Sequence, residues 1–278
     1  MKQSAHAEEG PRMSVAIITG ASSGIGREFA KQIKEKLLVE EFWFVARRAD
    51  KMEKLAEELS VSAKIISADL TKSEGIERVK AHLAEARPSV KYLINAAGFG
   101  KFGSFDELSE SDVSDMIDLN SKALVLITHA VIPYMERGGR IVELGSGSCF
   151  TPLPYFNTYA ASKAFVLHYT KALNYEIKRY GLRATCFCPG WVETEFLGIA
   201  TKNPDVTVPK EMKPLLKTEK VVAKCIKAMV KGRAMCVTNW YTKMQHMLFK
   251  LTPDPILSKI WTKMLVYPKS KGEDNGKT

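Results

Sequence analysis

Val15-Ala16-Ile17-Ile18-Thr19-Gly20-Ala21-Ser22-Ser23-Gly24-Ile25-Gly26 decides the fold class. Its first five residues form an apolar, β-branched run of the kind buried on both faces of a parallel sheet. Glycines at 20, 24 and 26 follow at once, and a helical pattern opens at Gly26 and runs to Leu37. Glycine at such positions permits a tight turn and lets a pyrophosphate approach the backbone. The unpaired N–H groups of the helix start then face the anion, aided by the helix dipole. Gly26, with no side chain, lets helix and strand pack closely. The stretch therefore reads as a dinucleotide cradle formed by Gly20, Ser22, Ser23, Gly24, Ile25 and Gly26.

The alternation continues outward. Strand-like runs at Val15–Thr19, Phe42–Val45, Lys64–Ser67, Tyr92–Asn95, Arg140–Leu144, Leu182–Cys188 and Ala234–Thr238 are separated by helical patterns. Those fall at Asp50–Leu59, Ser73–Ala86, Ser111–Glu136, Asn157–Tyr180 and Glu219–Lys231. The pattern predicts an α/β fold: a Rossmann-type, doubly wound parallel sheet of about seven strands in a single domain, with a C-terminal helical extension. Residues 1–13 read as a flexible leader, 14–238 as the sheet domain, 239–267 as an amphipathic helical extension and 268–278 as a disordered tail.

Two stretches break the rhythm. Gly190 to Leu216 carries Pro204, Pro209 and Pro214 and little periodicity, and Trp191 to Leu216 is the candidate lid. After Trp240 come two short amphipathic helices split by Pro253 and Pro255, with apolar faces through Trp240, Met244, Met247, Leu248 and Leu251 and through Ile256, Ile260, Met264 and Leu265. Such a face packs back on the protein, forms a subunit seam or lies on an anionic membrane, and the first is the favoured reading.

The 278 residues are 45% hydrophobic and 26% charged, with a net charge of +10, which is ordinary for a globular domain. The basic residues are spread out, with no block of five or six, which argues against a nucleic-acid interface and suits a phosphate-rich cofactor. The five cysteines, at 149, 186, 188, 225 and 236, fit neither a disulfide framework nor a metal site. Reduced thiols and a polar, acidic N-terminus point to the cytoplasm. No run of eighteen apolar residues offers a membrane span.

Cofactor choice is read at the end of the second strand. A free adenosine ribose is usually met there by a carboxylate. Arg47 and Arg48 stand there instead, and two guanidiniums suit a 2′-phosphate, so NADP is expected in preference to NAD. Tyr159 and Lys163 lie four apart in a helical pattern, one turn from each other on one face. Hydride reduction of a carbonyl needs a proton donor at the oxygen. A phenol, with an ordinary pKa of roughly 10, is made fit for that task by a neighbouring ammonium.

Seven motifs in order resemble the single-domain short-chain dehydrogenase/reductase family. They are the Thr19–Gly26 turn; Asp69-Leu70; Asn95-Ala96-Ala97-Gly98; Asn120; Ser146; Tyr159 with Lys163; and Pro189-Gly190 followed by Val192 and Thr194. The resemblance implies Tyr159 as acid or base, with Lys163 lowering its pKa and binding the nicotinamide ribose. It implies Ser146 at the substrate oxygen and Asn120 holding a water that links Lys163 to solvent. Asp69 and Leu70 would border the adenine, and Asn95 to Gly98 would shape the cofactor floor. Val192 and Thr194, after Pro189-Gly190, would hold the carboxamide and phosphates. It also implies dimers or tetramers through the two long helices.

There are departures. Gly145 precedes Ser146 where the family often has a second serine, which makes Ser148 a rival for the substrate bond. Glu143 stands where an asparagine is common, and Ser23 where some NADP-preferring members carry a basic residue.

Phe99, Phe150, Phe156, Trp191 and Phe196 follow the motifs around the nicotinamide and, with Ser148, are the candidate substrate contacts. They suit a lipophilic alcohol or carbonyl, with a hydroxysteroid a leading candidate. The other readings are a dinucleotide-sensing protein of the same fold with little turnover, and an isomerase or lyase using the same pocket.

Overall fold

The structure is a computed structural model that describes residues 13–201 and 206–267. The expected leader and disordered tail fall almost wholly outside the described residues. Through the first half run β1 (Ser14–Thr19), α1 (Gly24–Lys36), β2 (Glu41–Ala46), α2 (Ala49–Leu59), β3 (Ala63–Ser67), α3 (Ser73–Ala86), β4 (Ser89–Asn95), α4 (Glu110–Ile117) and α5 (Leu124–Val131). The second half holds β5 (Met135–Leu144), α6 (Asn157–Glu176), β6 (Arg183–Cys188), α7 (Glu195–Ala200), β7 (Val208–Pro209), α8 (Thr218–Val230), β8 (Met235–Val237), α9 (Trp240–Leu251), α10 (Asp254–Thr262) and β9 (Leu265–Val266).

The central sheet has seven strands in the order β3-β2-β1-β4-β5-β6-β8, and every neighbouring pair is parallel. Successive side chains of a strand point to opposite faces. Ala16 and Ile18 of β1 therefore meet Phe29 and Ile33 of α1 and Val222 of α8. Val15 and Ile17 meet the other layer, built by Leu83 of α3, Ile127 of α5 and Leu173 of α6. The order of strands reverses between β1 and β4, and a crevice opens there beyond their carboxyl ends.

The expected helix from 111 to 136 is divided. α4 passes into a π-helical turn at Asp118–Ala123, then α5, then a 3-10 turn at Ile132–Tyr134. Pro133 closes the helix, and β5 starts at Met135, opposite Val90, five residues before the sequence places it. Gly138, at φ +96°, absorbs the bend in that early part of the strand. The continuous helical run Glu110–Tyr134 is long and apolar enough by composition to cross a bilayer, contrary to expectation. Ile127 and Val131 of this run are fully buried against the sheet.

Among its described residues, 190–201 and 206–216, the candidate lid region also carries regular structure that the sequence reading did not give it. It holds α7, too short to show periodicity, and β7. The latter pairs antiparallel with β9, Val208 opposite Val266 and Pro209 opposite Leu265. The chain's late segment is thus stitched to the candidate lid.

A Cβ on Gly26 would lie 2.3 Å from the Gly20 carbonyl oxygen. Gly26→Ala is expected to cost roughly 1–3 kcal/mol through overpacking. Thermal unfolding checks this, with a fall in Tm of several degrees.

Candidate active site

A single cleft of about 650 Å³ runs from the glycine turn to the C-terminal helices. At one end Gly20, Ser22, Ser23, Gly24, Ile25 and Gly26 line it. A Cβ on Gly20 would lie 2.8 Å from the Ala97 nitrogen, so the turn sits directly on the strand-end backbone. Ser23 precedes α1 without a side-chain cap bond, and no acid occupies the first helical turn. The N–H groups there are left to an anion, which fits the pyrophosphate of a dinucleotide.

Arg47, Arg48, Asp69 and Leu70 line the same end. Arg48 donates to Ser22 Oγ at 3.1 Å and to Glu195 Oε2 at 3.1 Å, bridging the glycine turn and α7. Burial acts to raise the Asp69 carboxyl, but the Thr71 backbone and hydroxyl, with Arg47 and Lys72, hold it below its ordinary range. Its Oδ1 accepts from Thr71 N and Thr71 Oγ1 at 3.0 and 2.9 Å. Ala96, Ala97 and Gly98 form the floor, and Pro189, Gly190, Val192 and Thr194 the facing wall. Asn95 lies beneath the floor and does not line the cleft. It is 2% exposed and donates through Nδ2 to Thr128 Oγ1 and Glu143 Oε2 at 2.8 and 3.1 Å.

Midway along the cleft, Tyr159 meets the Ser146 hydroxyl, while Ser146 Oγ accepts from Ser148 N at 3.2 Å. Lys163 Nζ lies 5.7 Å from the Tyr159 ring centre and donates to the Leu144 carbonyl at 2.7 Å, tying α6 to the end of β5. Burial pushes the Tyr159 phenol up, and the Ser146 hydroxyl opposes that rise. Lys163 was expected to lower the phenol; here its own ammonium is pushed down to about 8 by burial, against the pull of nearby thiols and Glu143.

Asn120 stands in the π-helical turn, fully buried. Its Oδ1 accepts from Phe99 N at 3.1 Å, and its Nδ2 donates to Phe99 O at 2.9 Å and to Ser162 Oγ at 3.1 Å. It thus clamps the strand-end loop from behind the cleft wall. A Cβ on Gly98 would come within 2.8 Å of Asn120 Oδ1 and 3.3 Å of Lys163 Nζ, so glycine is needed where the three converge.

The far end is aromatic. Phe156 stacks on Tyr159 at 4.4 Å and on Phe102 at 3.9 Å, and Phe196 of α7 lies 5.4 Å from Tyr159. Phe99, Ser148, Phe156, Trp191 and Phe196 all line the cleft. Phe150 does not reach it. Its ring is drawn outward onto His246 of α9, 3.9 Å between centres, and it packs beside Cys149 and Val166.

Sequence reading favours packing of α9 and α10 on the protein; in the structure part of that apolar face lines the cleft, while Trp240, Met247, Leu251 and Ile256 stay exposed. Met244, Gln245 and Leu248 of α9 and Leu257, Ile260 and Trp261 of α10 line the cleft. Trp261 Nε1 donates to the Pro154 carbonyl at 2.8 Å. Their amphipathic spacing was the only signal, and it could not name the surface they meet. Glu195, whose carboxyl is held below its ordinary range by Arg48 and Lys51 against burial, gave none. Ser162, bonded to both Asn120 and the Tyr159 carbonyl, was equally silent.

The model of the short chain dehydrogenase family matches residues 14–205. The chain belongs to the short-chain dehydrogenases. It is therefore an oxidoreductase acting on alcohol and carbonyl groups. Sulfoacetaldehyde reductase 2 of Chromohalobacter salexigens is 36% identical over 196 residues, 67% of this chain and 76% of the relative. The very-long-chain 3-oxoacyl-CoA reductase of Schizosaccharomyces pombe is 30% identical over 213 residues, 71% of this chain and 61% of the relative. A solved short-chain dehydrogenase from Sphingobium yanoikuyae in complex with NADPH superposes with a TM-score of 0.72 at 25% identity, covering 94% of this chain and 99% of the other. A short-chain dehydrogenase/reductase from Burkholderia phymatum in complex with NAD, at TM-score 0.72 and 21% identity, shares the fold.

The family match ends at residue 205, so α9 and α10 lie beyond it. Trp261→Phe removes the bond to Pro154 while keeping most of the ring. Amide exchange across 254–266 is expected to speed up, with the sheet unchanged, for a loss of roughly 0.5–1.5 kcal/mol.

Proposed function

We propose that the protein is an NADP(H)-dependent oxidoreductase that interconverts a secondary alcohol and a ketone on a bulky lipophilic substrate, a hydroxysteroid being the leading candidate. One observation carries the reading: Tyr159, Ser146 and Lys163 meet midway along a cleft with a phosphate cradle at one end and an aromatic wall at the other. The cofactor supplies or receives the hydride when bound. Tyr159 holds the proton given to, or taken from, the substrate oxygen. Ser146 donates to that oxygen and steadies the charge that develops there. Ser148 is the second hydroxyl within reach of the same region. Lys163, near the Tyr159 ring, would hold the nicotinamide ribose, and Asn120 fixes the loop that carries Gly98 and Phe99.

Preference for NADP is supported by Arg47 and Arg48 at the adenosine end, with Arg48 already held against Ser22. The lipophilic substrate is supported by the rings of Phe156, Trp191 and Phe196 and the apolar faces of α9 and α10. Five buried free thiols are in keeping with the cytoplasm. Exposed Phe165 and Tyr175 on α6 support a homo-oligomer through the long helices.

Tyr159→Phe is expected to abolish turnover of a ketone panel with NADPH, while NADPH binding by fluorescence stays near that of the parent. Retained turnover removes Tyr159 from its role. Tight NADPH binding with no turnover of any carbonyl by the parent favours the sensing protein instead. Arg47→Ala is expected to weaken NADPH relative to NADH by roughly 1.5–3 kcal/mol, the scale of a charge-assisted hydrogen bond. Equal losses for the two cofactors count against a 2′-phosphate site.

A further inference from the structure

Glu143 is 0% exposed, a carboxylic acid near the end of β5 and one residue before the carbonyl that holds Lys163. A buried carboxyl group needs partners or a proton. Glu143 has Asn95 Nδ2 on Oε2 at 3.1 Å and Thr128 Oγ1 beside Oε1 at 2.8 Å.

The Thr128 hydroxyl also lies 2.8 Å from the Leu124 carbonyl and receives Asn95 Nδ2 at 2.8 Å. A hydroxyl has one proton to give. When that proton goes to Leu124, Oε1 must bring its own, and Glu143 is the neutral acid. When it turns to Oε1, Glu143 is the carboxylate. One rotation of the Thr128 hydroxyl therefore serves both charge states without setting two bare oxygens against each other.

We propose that Glu143 is a positioning residue for the reaction, whose buried carboxyl group gains and loses a proton and so sets the charge carried by Lys163. The proposal rests on the catalytic reading of Tyr159 and Lys163.

The groups facing this pair come from five elements. Asn95 of β4 and Thr128 of α5 bond to Glu143; Tyr169 of α6 and Cys186, its register partner on β6, stand beside it. Lys163 is reached by Cys186, Cys149 and Cys188, of which Cys149 lies in the turn after Ser146, and by Glu143. Burial, reinforced by Glu143, pushes the Tyr169 phenol up, and contact with Cys149 and Cys186 pushes the Cys188 thiol up. Tyr169 and Cys188 therefore stay protonated through the neutral range. Burial pushes the Glu143 carboxyl up to about 7, against Thr128, Asn95 and Lys163, while Lys163 is pushed down to about 8.

The sign follows. Above its own titration step Glu143 is an anion, and an anion raises the proton affinity of a neighbouring amine. It keeps Lys163 cationic at pH values where burial alone would strip the proton.

Glu143→Gln keeps size and shape and removes the charge. Two readouts test it. In protein without added cofactor, the ε-carbon signal of labelled Lys163 is followed by NMR against pH; its midpoint is expected about one pH unit lower in the variant. In the pH profile of kcat/KM for ketone reduction, the alkaline limb is expected to move down by the same amount. The ratio of parent to variant rate then stays constant below pH 6 and grows above pH 7. A Lys163 midpoint unchanged between the two proteins overturns the proposal. So does a uniform loss of rate with the limb unmoved, the mark of a purely structural residue.

If Glu143→Gln does not fold, Thr128→Val removes the hydroxyl that steadies the carboxylate and is expected to shift Lys163 the same way, an unmoved midpoint again being fatal. A parent protein that turns over no carbonyl defeats the enzymatic reading, while the NMR arm still decides the coupling.

Discussion

Lys163 carries a cationic amine into a place that is only 2% exposed. A buried ammonium loses its hydration, and the surroundings must replace it or the proton is lost. The replacement here is a carbonyl at the end of β5, a carboxyl group one residue earlier, and the polarisable sulfurs of Cys186 and Cys188 on β6. Most of it comes from the carboxyl ends of two adjacent strands, and Cys149 adds a third sulfur from the turn after Ser146. The parallel sheet is thus more than a scaffold: its register decides which backbone oxygen and which side chains stand under the amine, and through it under Tyr159.

That dependence runs outward to the glycines. Gly98 has no side chain because Asn120 and Lys163 occupy the space. Gly20 and Gly26 have none because strand, turn and helix touch there. Gly100 has none because Tyr159, Phe156 and Phe196 close over it, a Cβ meeting the Tyr159 ring at 2.7 Å. Each marks a place where two parts of the site approach as closely as backbone allows, and together they keep cradle, amine and phenol in one continuous cleft.

The sheet and the order of its strands were legible because doubly buried strands announce themselves as apolar runs and the glycine turn has few structural readings. The Tyr159–Lys163 spacing was legible for the same reason: a helical turn is a fixed ruler. The division of the helix around Asn120 was not, since a π-helical turn leaves no composition behind and Leu124 to Val131 reads as ordinary helix. The early start of β5 was hidden by Pro133 and two glycines. Phe150 looked equal to Phe156 by position, and only the 3-10 turn that follows Ser146 sends the first ring outward and the second inward. Glu143 was visible as an oddity in a buried strand, but Thr128, fifteen residues earlier, and Tyr169, twenty-six later, are joined to it only by folding.

The pairing of β7 with β9 has a consequence for how the molecule is made. The glycine turn, Tyr159 with Lys163, and the wall at 189–194 are all encoded before residue 200, and domains of a nascent chain take shape from the N-terminal side. The strand that clasps the entrance lies at Leu265–Val266. The β7–β9 pair therefore forms only after Leu265–Val266 has been made, well after the glycine turn and the helix of Tyr159.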